Sequence, residues 1–342
     1  MDLRQTVYKT LLLTASICLL ACTSCTSGGK RNAVVKENAT TQKDATARKD
    51  ATLEVLFTGD VLLDRGVRPV LEAEGMDSVF AGVNSLFRKA DAVVINLECP
   101  LTDTVSSLNK KYIFRADAAC AEGLKRVGVS HAAMANNHTN DQGRRGLAAT
   151  HRHLVDAGIV PIGYGLTFSE QLAPAVISKD VLEVAVFNDV LVPLENWHQL
   201  DDCPGVCQAS CDELADAIRE YRKSHRKTWV VAVLHWGKEF DAHPSLKQRM
   251  QASRLASAGT DVIIGHHPHV VQDVGTIKTE GAGMCDSTLV YYSLGNFVFD
   301  QSAPDTRKTF IVSLRFSADG TLTPKILPVR IEGCKPRLQS IP

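Results

Sequence analysis

Short apolar blocks rich in Val and Ile recur from residue 53 onward, and segments with helical spacing separate them. Short apolar runs bounded by turn residues are typical of buried strands. An alternation of strands and helices predicts an α/β domain. The predicted strands lie at 53–58, 92–97, 130–135, 159–162, 182–187, 229–234, 261–264, 288–294, 310–316 and 326–331. The predicted helices lie at 68–73, 79–89, 118–127, 144–157, 212–223 and 245–258.

Several of the predicted strands end on a polar residue that is able to bind a metal ion. In open α/β sheets ligands bind outside the carboxyl ends of the strands, so these side chains are expected to converge on one rim. Each residue considered alone has a simpler interpretation: Asp60 as a turn residue, Glu98 as a surface charge and His235 as a core histidine with its hydrogen bonds satisfied. Together they favour a shared metal site. The strand-end residues are Asp60, Glu98, Asn137 with His138, His235, and His267 with His269.

The segment GHHPH at 265–269 follows a block of β-branched residues. Gly265 is predicted to break the strand and to let the backbone turn sharply. If the segment after it stays extended, the rings of His267 and His269 point the same way, because side chains two residues apart share a face. Neutral imidazole is the commonest metal ligand in proteins. The segment therefore predicts a metal ion at this loop.

Size and charge exclude some classes of partner. The 342 residues are 44% hydrophobic, enough to bury the core of one large domain or two small ones. The formal net charge is zero, so nothing in the overall charge points to nucleic acid, and no nucleic-acid partner is expected. The sequence also lacks a nucleotide-binding loop of the ligase type, so we do not expect polymer synthesis from ATP.

The N-terminus is typical of an exported protein. Two basic residues precede an apolar run at 11–21, which is too short to span a membrane and fits the core of a signal peptide. The run ends in Leu-Leu-Ala before Cys22, which resembles a bacterial lipobox and makes Cys22 the lipid-bearing residue, with Cys25 a poorer alternative. The other interpretation is an ordinary cleaved signal in which Cys22 has no special role.

The domain organisation follows from this N-terminus. Residues 1–21 are predicted to be a lipoprotein signal peptide and 53–342 the globular domain. Residues 22–52 are rich in Thr, Ala, Lys and Asp without apolar periodicity, and are predicted to be a flexible tether. The expected location is the bacterial cell envelope, anchored to a membrane on its periplasmic or surface side.

The chain contains ten cysteines, which can form disulfides in an exported protein. Cys203, Cys207 and Cys211 have three residues between neighbours and on a helix would share one face. Their spacing is unlike the CxxC pairs of zinc sites, so a disulfide or free thiols are favoured over zinc.

Six motifs occur in chain order: GDVLLDR, INLECPL, ANNHTNDQG, LHWGKEF, GHHPHVVQ and YSLGNFVFDQ. They are similar to those of the bacterial CapA family, which is linked to capsule and poly-γ-glutamate synthesis and belongs to the calcineurin-like metallophosphoesterase superfamily. The resemblance runs from about residue 53 to about residue 333. It implies a four-layer α/β/β/α sandwich of two mixed sheets flanked by helices, with a two-metal centre at the strand ends.

The resemblance implies a role for each strand-end residue. Asp60 and His269 are implied to bind the first metal, and Glu98 stands where the superfamily has a bridging carboxylate. The ligands implied for the second metal are Asn137, His235 and His267. Carboxylate and amide oxygens combined with imidazoles suit one or two divalent ions of Mn, Fe or Zn.

His138 matches the position of the catalytic acid, which contacts the leaving group or the scissile phosphate. His266 is an additional neighbour of the site. Two metals roughly 3.5–4 Å apart can generate a hydroxide and clamp both oxygens of a displacement at phosphorus. A histidine that protonates the leaving group typically adds about 10²–10⁴-fold to the rate.

The chain departs from the superfamily pattern at two positions. The first motif of the superfamily is Asp-x-His, and here Leu62 stands where the histidine should be. Asp64 or His266 is a candidate to complete the first metal site. The bridging position holds Glu98 and not the usual Asp, which changes the metal spacing.

Three further residues are candidates for contacting the substrate. Arg65 and Arg115 are candidates to bind an anionic substrate, although exposed arginines are more often solvated. Asn296 lies in the last motif and is interpreted either as lining the rim or as a structural turn residue.

Other motif residues have simpler interpretations. Asp141 and Gly143 are predicted to shape the loop and the helix start after His138. Trp236 and Phe240 are predicted to pack in the core, with lining of the cleft as the alternative.

Two functions fit these observations. The first is an exported, lipid-anchored hydrolase that uses metal to cleave a phosphoester, an amide or a polymer of the envelope. The second is a tethered component that binds or positions an anionic capsule chain without turnover. The expected partners are an anionic envelope polymer or phosphoester substrate, the membrane, and a membrane complex for capsule synthesis.

Overall fold

The computed structural model describes residues 51–106 and 108–340, which lie in one compact unit, Thr46–Pro342. The predicted signal peptide, Cys22, Cys25 and nearly all of the predicted tether lie outside the described residues. Within the described ranges, none of the helices combines the length and the apolar character that a membrane span requires.

The described residues form sixteen strands, seven α-helices and one short 3-10 helix. The strands are β1 Thr52–Val61, β2 Ala92–Leu97, β3 His131–Ala133, β4 Val160–Ile162, β5 Tyr164–Gly165, β6 Ala175–Lys179, β7 Leu182–Val190, β8 Gly205–Val206, β9 Trp229–His235, β10 Val262–His266, β11 Val274–Lys278, β12 Ser287–Tyr291, β13 Asn296–Val298, β14 Lys308–Ser317, β15 Leu322–Glu332 and β16 Lys335–Leu338. The helices are α1 Val67–Val79, α2 Asn84–Phe87, α3 Cys120–Arg126, α4 Gly143–Asp156, α5 Phe168–Leu172, α6 Cys211–Ser224 and α7 Leu246–Ser257, and the 3-10 helix is Asp305–Arg307.

Two mixed sheets form the centre of the fold. The first has the order β16-β15-β14-β1-β2-β3-β4, with β13 also beside β1. Its strands β1 to β4 pair in parallel, whereas β14 to β16 pair antiparallel. The second sheet has the order β11-β12-β10-β9-β7-β6, in which the four central strands are parallel and the two edge strands antiparallel. Strands β5 and β8 form a separate small pair.

Successive side chains of the central strands pack on opposite faces of their sheet. Val55 and Phe57 lie in a buried cluster that contains residues of both sheets, so this cluster is the interface between them. Leu56 lies between them in sequence and belongs to a second cluster, which also contains the apolar faces of the helices. The same alternation holds in β9, where Val231 faces the other sheet and Ala232 faces the helices. The predicted four-layer sandwich of two mixed sheets flanked by helices is confirmed.

The long buried elements agree closely with the predicted ones. The block AVVINL forms β2 over its full predicted length, and the helix predicted at 144–157 is α4. The strands and the helix that the sequence did not indicate are short or lie at the edges of sheets: β5, β6, β8, β11, β13, β16 and α5. Strand β11 reads VGTIK with alternately exposed residues, so it lacks the continuous apolar run that marks a central strand.

The prediction that Gly265 ends its strand was wrong. Strand β10 continues through Gly265 to His266, and both residues pair with β9. Glycine is required there because a Cβ atom would collide with the carbonyl oxygen of Tyr292 and with Nε1 of Trp236. The turn comes two residues later, at His267 (φ 94°) and His269 (φ 58°). The segment after Gly265 is therefore not extended.

The cysteine pattern does not form a helical face. Cys203 and Cys207 lie on either side of β8, and Cys211 is the first residue of α6. The described cysteines, Cys99, Cys120, Cys203, Cys207, Cys211, Cys285 and Cys334, are all free thiols. Of the two favoured interpretations, the structure therefore supports free thiols and not a disulfide for Cys203, Cys207 and Cys211.

Candidate metal centre

The predicted strand-end residues meet at one buried site to which both sheets contribute. Asp60, Glu98 and Asn137 come from the ends of β1, β2 and the segment after β3 in the first sheet. The second sheet contributes histidines from the end of β9 and from the loop after β10. Nε2 of His235 lies 2.8 Å from Oδ1 of Asn137, and Nδ1 of His269 lies 3.2 Å from Oδ2 of Asp60. The prediction that these side chains share a rim is confirmed.

Asp60 is fully buried at the end of β1. Its Oδ1 accepts a hydrogen bond of 2.8 Å from Nδ2 of Asn96, whereas its Oδ2 has no hydrogen-bond donor. Burial alone would raise the pKa of this carboxyl, but the close approach of the imidazoles of His269 and His266, together with the hydrogen bond from Asn96, outweighs burial and lowers it. Asp60 therefore stays ionised inside the protein.

Glu98 is the least satisfied group of the site. It is fully buried, and neither carboxylate oxygen has a hydrogen-bond partner among the described residues. Its Oε1 lies 3.6 Å from Nε2 of His269 and 4.0 Å from Nε2 of His235. Burial, followed by the negative charges of Asp60 and Glu239, raises the pKa of Glu98 well above its usual value. A nearby cation would reverse this effect, because a bound ion is the largest charge in such a site.

Two histidines of the site, His235 and His267, are neutral at physiological pH. Burial lowers the pKa of His235 well below its usual value, and the neighbouring histidines lower it further. Burial and the charge of His269 lower the pKa of His267 to about 4. Nδ1 of His267 is buried without a hydrogen-bond partner. Neutral imidazole is the form that binds metal, so both rings are in the required protonation state.

The loop after β10 is held against both sheets. Nε2 of His266 donates a hydrogen bond of 2.9 Å to the carbonyl of Thr58 in β1. His266 thus connects the two sheets, although its Nδ1 has no partner. The carbonyl of Pro268 accepts a hydrogen bond of 2.8 Å from the backbone N–H of Phe240. These contacts hold His267 and His269 in a left-handed backbone conformation that non-glycine residues rarely adopt.

Asn296 orients His269 and is not a turn residue. It is the fully buried first residue of β13, where it pairs with Asp60. Its Nδ2 donates to Oε1 of Gln301 and to the carbonyl of Thr306, which leaves Oδ1 to accept from Nδ1 of His269 at 3.0 Å. This hydrogen bond fixes the tautomer of His269 and leaves Nε2 free on the side of Glu98.

His138 lies beside the cluster with its own support. Its Nδ1 donates a hydrogen bond of 2.7 Å to Oδ2 of Asp141, which leaves Nε2 free. The ring stacks on Phe114 with centroids 4.0 Å apart. Burial lowers the pKa of His138, although the hydrogen bond to Asp141 acts in the opposite direction. A neutral, oriented histidine of this kind can exchange a proton with a bound substrate.

Asp141 was assigned the wrong role. It does not cap α4, because Gln142 occupies the N-cap position. Its carboxylate instead accepts hydrogen bonds from His138, from the backbone N–H of Phe114 and from Nζ of Lys110, the last at 2.5 Å. Lys110 also donates to the carbonyl of Asn137 at 2.6 Å. Gly143 is the first residue of α4 with φ 65°, as expected of a residue that shapes the helix start.

Several residues that contact the site were missed in the sequence. Asn96 precedes Glu98 by two residues, so the two side chains are expected on the same side of the extended chain. This spacing could have identified Asn96 from the sequence. Asn136 donates to the carbonyl of Leu97 at 2.8 Å and accepts from the backbone N–H of His138 at 3.1 Å. Lys110 and Glu239 reach the site from loops, and no local pattern marks them.

The two arginine candidates differ in position. The Arg65 guanidinium forms an ion pair of 3.1 Å with Asp300 and lies 5.7 Å from the ring of Phe114, which itself stacks on His138. Arg65 therefore contacts Phe114, which in turn contacts His138 of the site. Arg115 donates its backbone N–H to Asp64 at 2.7 Å, and its guanidinium has no hydrogen bond or ion pair with another described residue.

Two expectations about completing the site and packing the loop are corrected. Asp64 is not free to bind a metal, because its oxygens accept hydrogen bonds from Arg68 and from the backbone of Arg115. Phe240 is not a core residue, since it is 55% exposed, with its ring centroid 6.1 Å from that of His269. Trp236 is fully buried and donates to the carbonyl of Tyr292, as expected for core packing.

The residues present fit a divalent metal ion. Two groups of possible ligands have their donor atoms within 4.8 Å of one another: Asp60, Glu98 and His235, and Glu239, His267 and His269. Buried polar groups without hydrogen-bond partners are costly, so Glu98, Oδ2 of Asp60 and Nδ1 of His267 call for a partner that the residues of 51–106 and 108–340 do not supply. Carboxylates and imidazoles are the donors that Mn, Fe and Zn accept.

Comparison with solved structures adds little. A putative 5′-nucleotidase from Staphylococcus aureus aligns over 84% of this chain and about half (54%) of its own, with 13% sequence identity and a TM-score of 0.48. A likeness of this degree carries no information about activity.

Comparison with protein sequences is informative. The chain is 30% identical over 287 residues to the PGA biosynthesis protein CapA of Bacillus subtilis, covering 83% of this chain and 73% of that protein. It is 28% identical over 295 residues to the capsule biosynthesis protein CapA of Bacillus anthracis, covering 83% and 69%. The family model of the bacterial capsule synthesis protein PGA_cap matches residues 54–301. The resemblance seen in the six motifs is thereby confirmed, and the chain belongs to the PGA_cap family of bacterial capsule synthesis proteins.

Proposed function

We propose that this chain is a metal-dependent hydrolase of the cell envelope that acts during synthesis or handling of a capsule or a poly-γ-glutamate-type polymer. The observation that carries the proposal is Glu98, a buried carboxylate without a partner, surrounded by oxygens and imidazoles from both sheets. Relatives named for capsule and PGA biosynthesis support the polymer part of the proposal.

The ligand set assigns the metal positions. Asp60 and His269 would hold the first ion, Asn137, His235 and His267 would hold the second, and Glu98 would serve both positions. When bound, such a pair supplies a hydroxide nucleophile and neutralises charge on the scissile group. Asn96 and Asn296 keep Asp60 and His269 oriented through hydrogen bonds.

His138 is the proton donor in this proposal. Asp141, which pairs with Lys110, holds the imidazole through Nδ1 and favours its protonated form, so Nε2 takes up a proton from solvent and then donates it to the leaving group. Phe114 packs flat against the ring and limits its rotation. Arg65, whose guanidinium lies 5.7 Å from the ring of Phe114, is the candidate to bind an anionic part of the substrate.

The test compares His138→Ala with His153→Ala, a change in α4 that leaves the site intact. Both proteins are loaded with Mn²⁺ and assayed on a generic phosphodiester and on poly-γ-glutamate. Loss of general acid catalysis predicts a fall of about 10²–10⁴-fold for His138→Ala, with unchanged metal content. His153→Ala should match the wild type. Equal rates in the two variants would show that His138 has no catalytic role.

A second candidate function is metal-dependent binding of the polymer without turnover. The observation in its favour is Leu62, which is fully buried in the core and offers no ligand where the superfamily has a histidine. In this case metal-loaded protein retains poly-γ-glutamate in equilibrium dialysis, the retention is abolished by chelation, and no shorter product is released during long incubation. Release of product would exclude this candidate.

We also propose that Cys22 carries a lipid that anchors the domain to the envelope, close to a membrane complex for capsule synthesis. The support is the run of Leu-Leu-Ala before Cys22 and the polar segment after it. Full-length protein expressed in bacteria should partition into detergent, whereas Cys22→Ser should remain in the aqueous phase. Cys25→Ser is the matched control and should behave as the wild type.

A further inference from the structure

We infer that Glu239 is an additional metal-binding residue, which supplies from the loop after β9 the ligand that is missing at Leu62. The inference rests on the proposed metal centre. Glu239 belongs to neither the strand ends nor the ligand set implied by the family resemblance.

At the first metal position β1 supplies Asp60 but no second donor, because Leu62 stands where the superfamily has a histidine. Leu62 is fully buried in the apolar cluster that faces the helices, and its backbone N–H is bonded to the carbonyl of Val298 at 2.9 Å. Asp64 cannot substitute, because both its oxygens are engaged by Arg68 and Arg115. Nε2 of His266 is engaged by Thr58, and its remaining Nδ1 belongs to neither group of converging donor atoms. The missing ligand therefore has to come from another element.

Glu239 reaches the histidine loop with a free carboxylate. One of its oxygens and one nitrogen each of His267 and His269 all lie within 4.8 Å of one another. The side chain has no hydrogen bond or ion pair with another residue of the described ranges, although its neighbours Lys238 and Asp241 pair with each other at 3.6 Å. The charge of Glu239 also helps to raise the pKa of Glu98, which places it within electrostatic reach of the buried carboxylate.

The backbone holds Glu239 in this position. The segment after β9 turns at Gly237 (φ 86°), where a Cβ atom would lie 2.8 Å from the side chain of Gln248. Trp236 then donates its backbone N–H to the carbonyl of His266 at 3.1 Å, and Phe240 donates to Pro268 at 2.8 Å. Contacts on both sides of Glu239 thus fasten the segment to the loop that carries His267 and His269.

The exposure of Glu239 suits this role. The side chain of Glu239 is exposed and reaches the histidine loop from the solvent side, in contrast to the buried Glu98. A carboxylate oxygen is also an acceptable replacement for an imidazole nitrogen in a site for Mn or Fe, and in one for Zn. From the exposed side of the histidine loop, Glu239 would complete the shell of the first ion beside His269.

The test measures metal affinity of the full-length protein by calorimetry with Mn²⁺, and metal content by mass spectrometry, for wild type, Glu239→Gln and Asp241→Asn. Asp241→Asn removes the same charge two residues away and is the matched control. Loss of a hydrogen bond that orients a metal ligand typically lowers metal affinity by about 10–100-fold. Loss of a ligand itself should therefore lower it by at least about 10-fold. Asp241→Asn should stay within about twofold of the wild type, since rim charges act weakly.

The outcomes separate this inference from the proposed function. If the wild type binds no metal, the proposed metal centre fails and the inference fails with it. If the wild type binds metal and Glu239→Gln binds equally well, only the inference fails. An equal loss in Asp241→Asn and Glu239→Gln would also overturn it, because the effect would then be one of charge and not of coordination. Thermal unfolding of the metal-free variants should be unchanged, which shows that the fold is intact.

Discussion

Strand β10 connects two buried polar clusters that differ in how their hydrogen bonds are satisfied. Asp261 lies just before the first residue of β10. It forms an ion pair with Arg222 and accepts hydrogen bonds from the backbone N–H groups of Val230 and Met284. Arg222 in turn donates to the carbonyls of Gly259 and Thr228. After the last residue of β10 lies the proposed metal-binding cluster, where Glu98 accepts no hydrogen bond from any residue that the structure describes.

The difference indicates separate purposes at the two ends. The Arg222–Asp261 cluster is complete within the protein, so it holds α6, β9 and β10 together without an external partner. The metal-binding cluster has desolvated carboxylates and imidazoles in place before any ion binds, which costs stability in the free protein. Substitutions at the two ends should therefore have opposite effects on stability and on metal affinity.

The largest expected effect is on stability, from Arg222→Met. Removal of one partner leaves Asp261 as a buried, unpaired charge, and breaking a buried ion pair in this way costs about 3–5 kcal/mol. Urea denaturation of the metal-free protein measures this loss. Metal affinity at low denaturant should be unchanged, and a parallel loss of metal binding would contradict the separation of the two ends.

Glu98→Gln should show the reverse pattern. The variant loses the carboxylate that contacts both metal positions, so metal affinity should fall by at least about 100-fold, or about 2.7 kcal/mol. Stability of the metal-free protein should be equal to or greater than that of the wild type, because a poorly solvated acid is removed. Calorimetry and urea denaturation on the same sample check both parts. A destabilised variant would mean that Glu98 has a structural role instead.

Asn296→Ala should weaken metal binding to a lesser degree. His269 keeps its nitrogen donors but loses the hydrogen bond that fixes its tautomer and orientation. Such a change typically reduces metal affinity by about 10–100-fold. Gln301→Ala is the matched control, because it removes a partner of Asn296 without changing the bond to His269. Equal affinity in Asn296→Ala and wild type would remove Asn296 from the site.

Metal affinity should also depend on pH. Below the raised pKa of Glu98 the metal-free protein holds a proton on this group, and metal binding has to release it. The site histidines with lowered pKa are already neutral, so only the proton of Glu98 has to be released. Metal affinity should therefore rise by about tenfold per pH unit below the pKa of Glu98 and level off above it. Calorimetry in buffers of different ionisation enthalpy counts the protons released. Release of no proton would contradict the protonated state of Glu98.

The sequence was sufficient to predict elements and residues with a local signal. Buried strands such as β2 are continuous apolar runs, and the polar residue at the end of each one marks the carboxyl edge of a sheet. The convergence of Asp60, Glu98 and His235 follows from that rule together with the family resemblance. Strands β6 and β11 lie at sheet edges with one solvated face, so they carry no comparable run.

The features that were missed depend on contacts between distant segments. Asp141 reads as a helix-start residue in sequence, and only the packing of the loop with Lys110 and Phe114 shows that it orients His138. Gly265 reads as a strand breaker, whereas the close approach of Tyr292 explains why it is glycine. Glu239 comes near His267 only because the segment after β9 folds back on the loop after β10.

The central claim is that the cluster at the end of β10 is a divalent metal centre. The most direct test is the free energy of unfolding of wild type and Glu98→Gln, measured with and without Mn²⁺. At an ion concentration of about 100 times Kd, a site present only in the folded protein should stabilise the wild type by about 2.7 kcal/mol, reversibly on chelation, and Glu98→Gln much less. An unchanged free energy of unfolding in the wild type across Mn²⁺, Zn²⁺ and Fe²⁺ would contradict the claim.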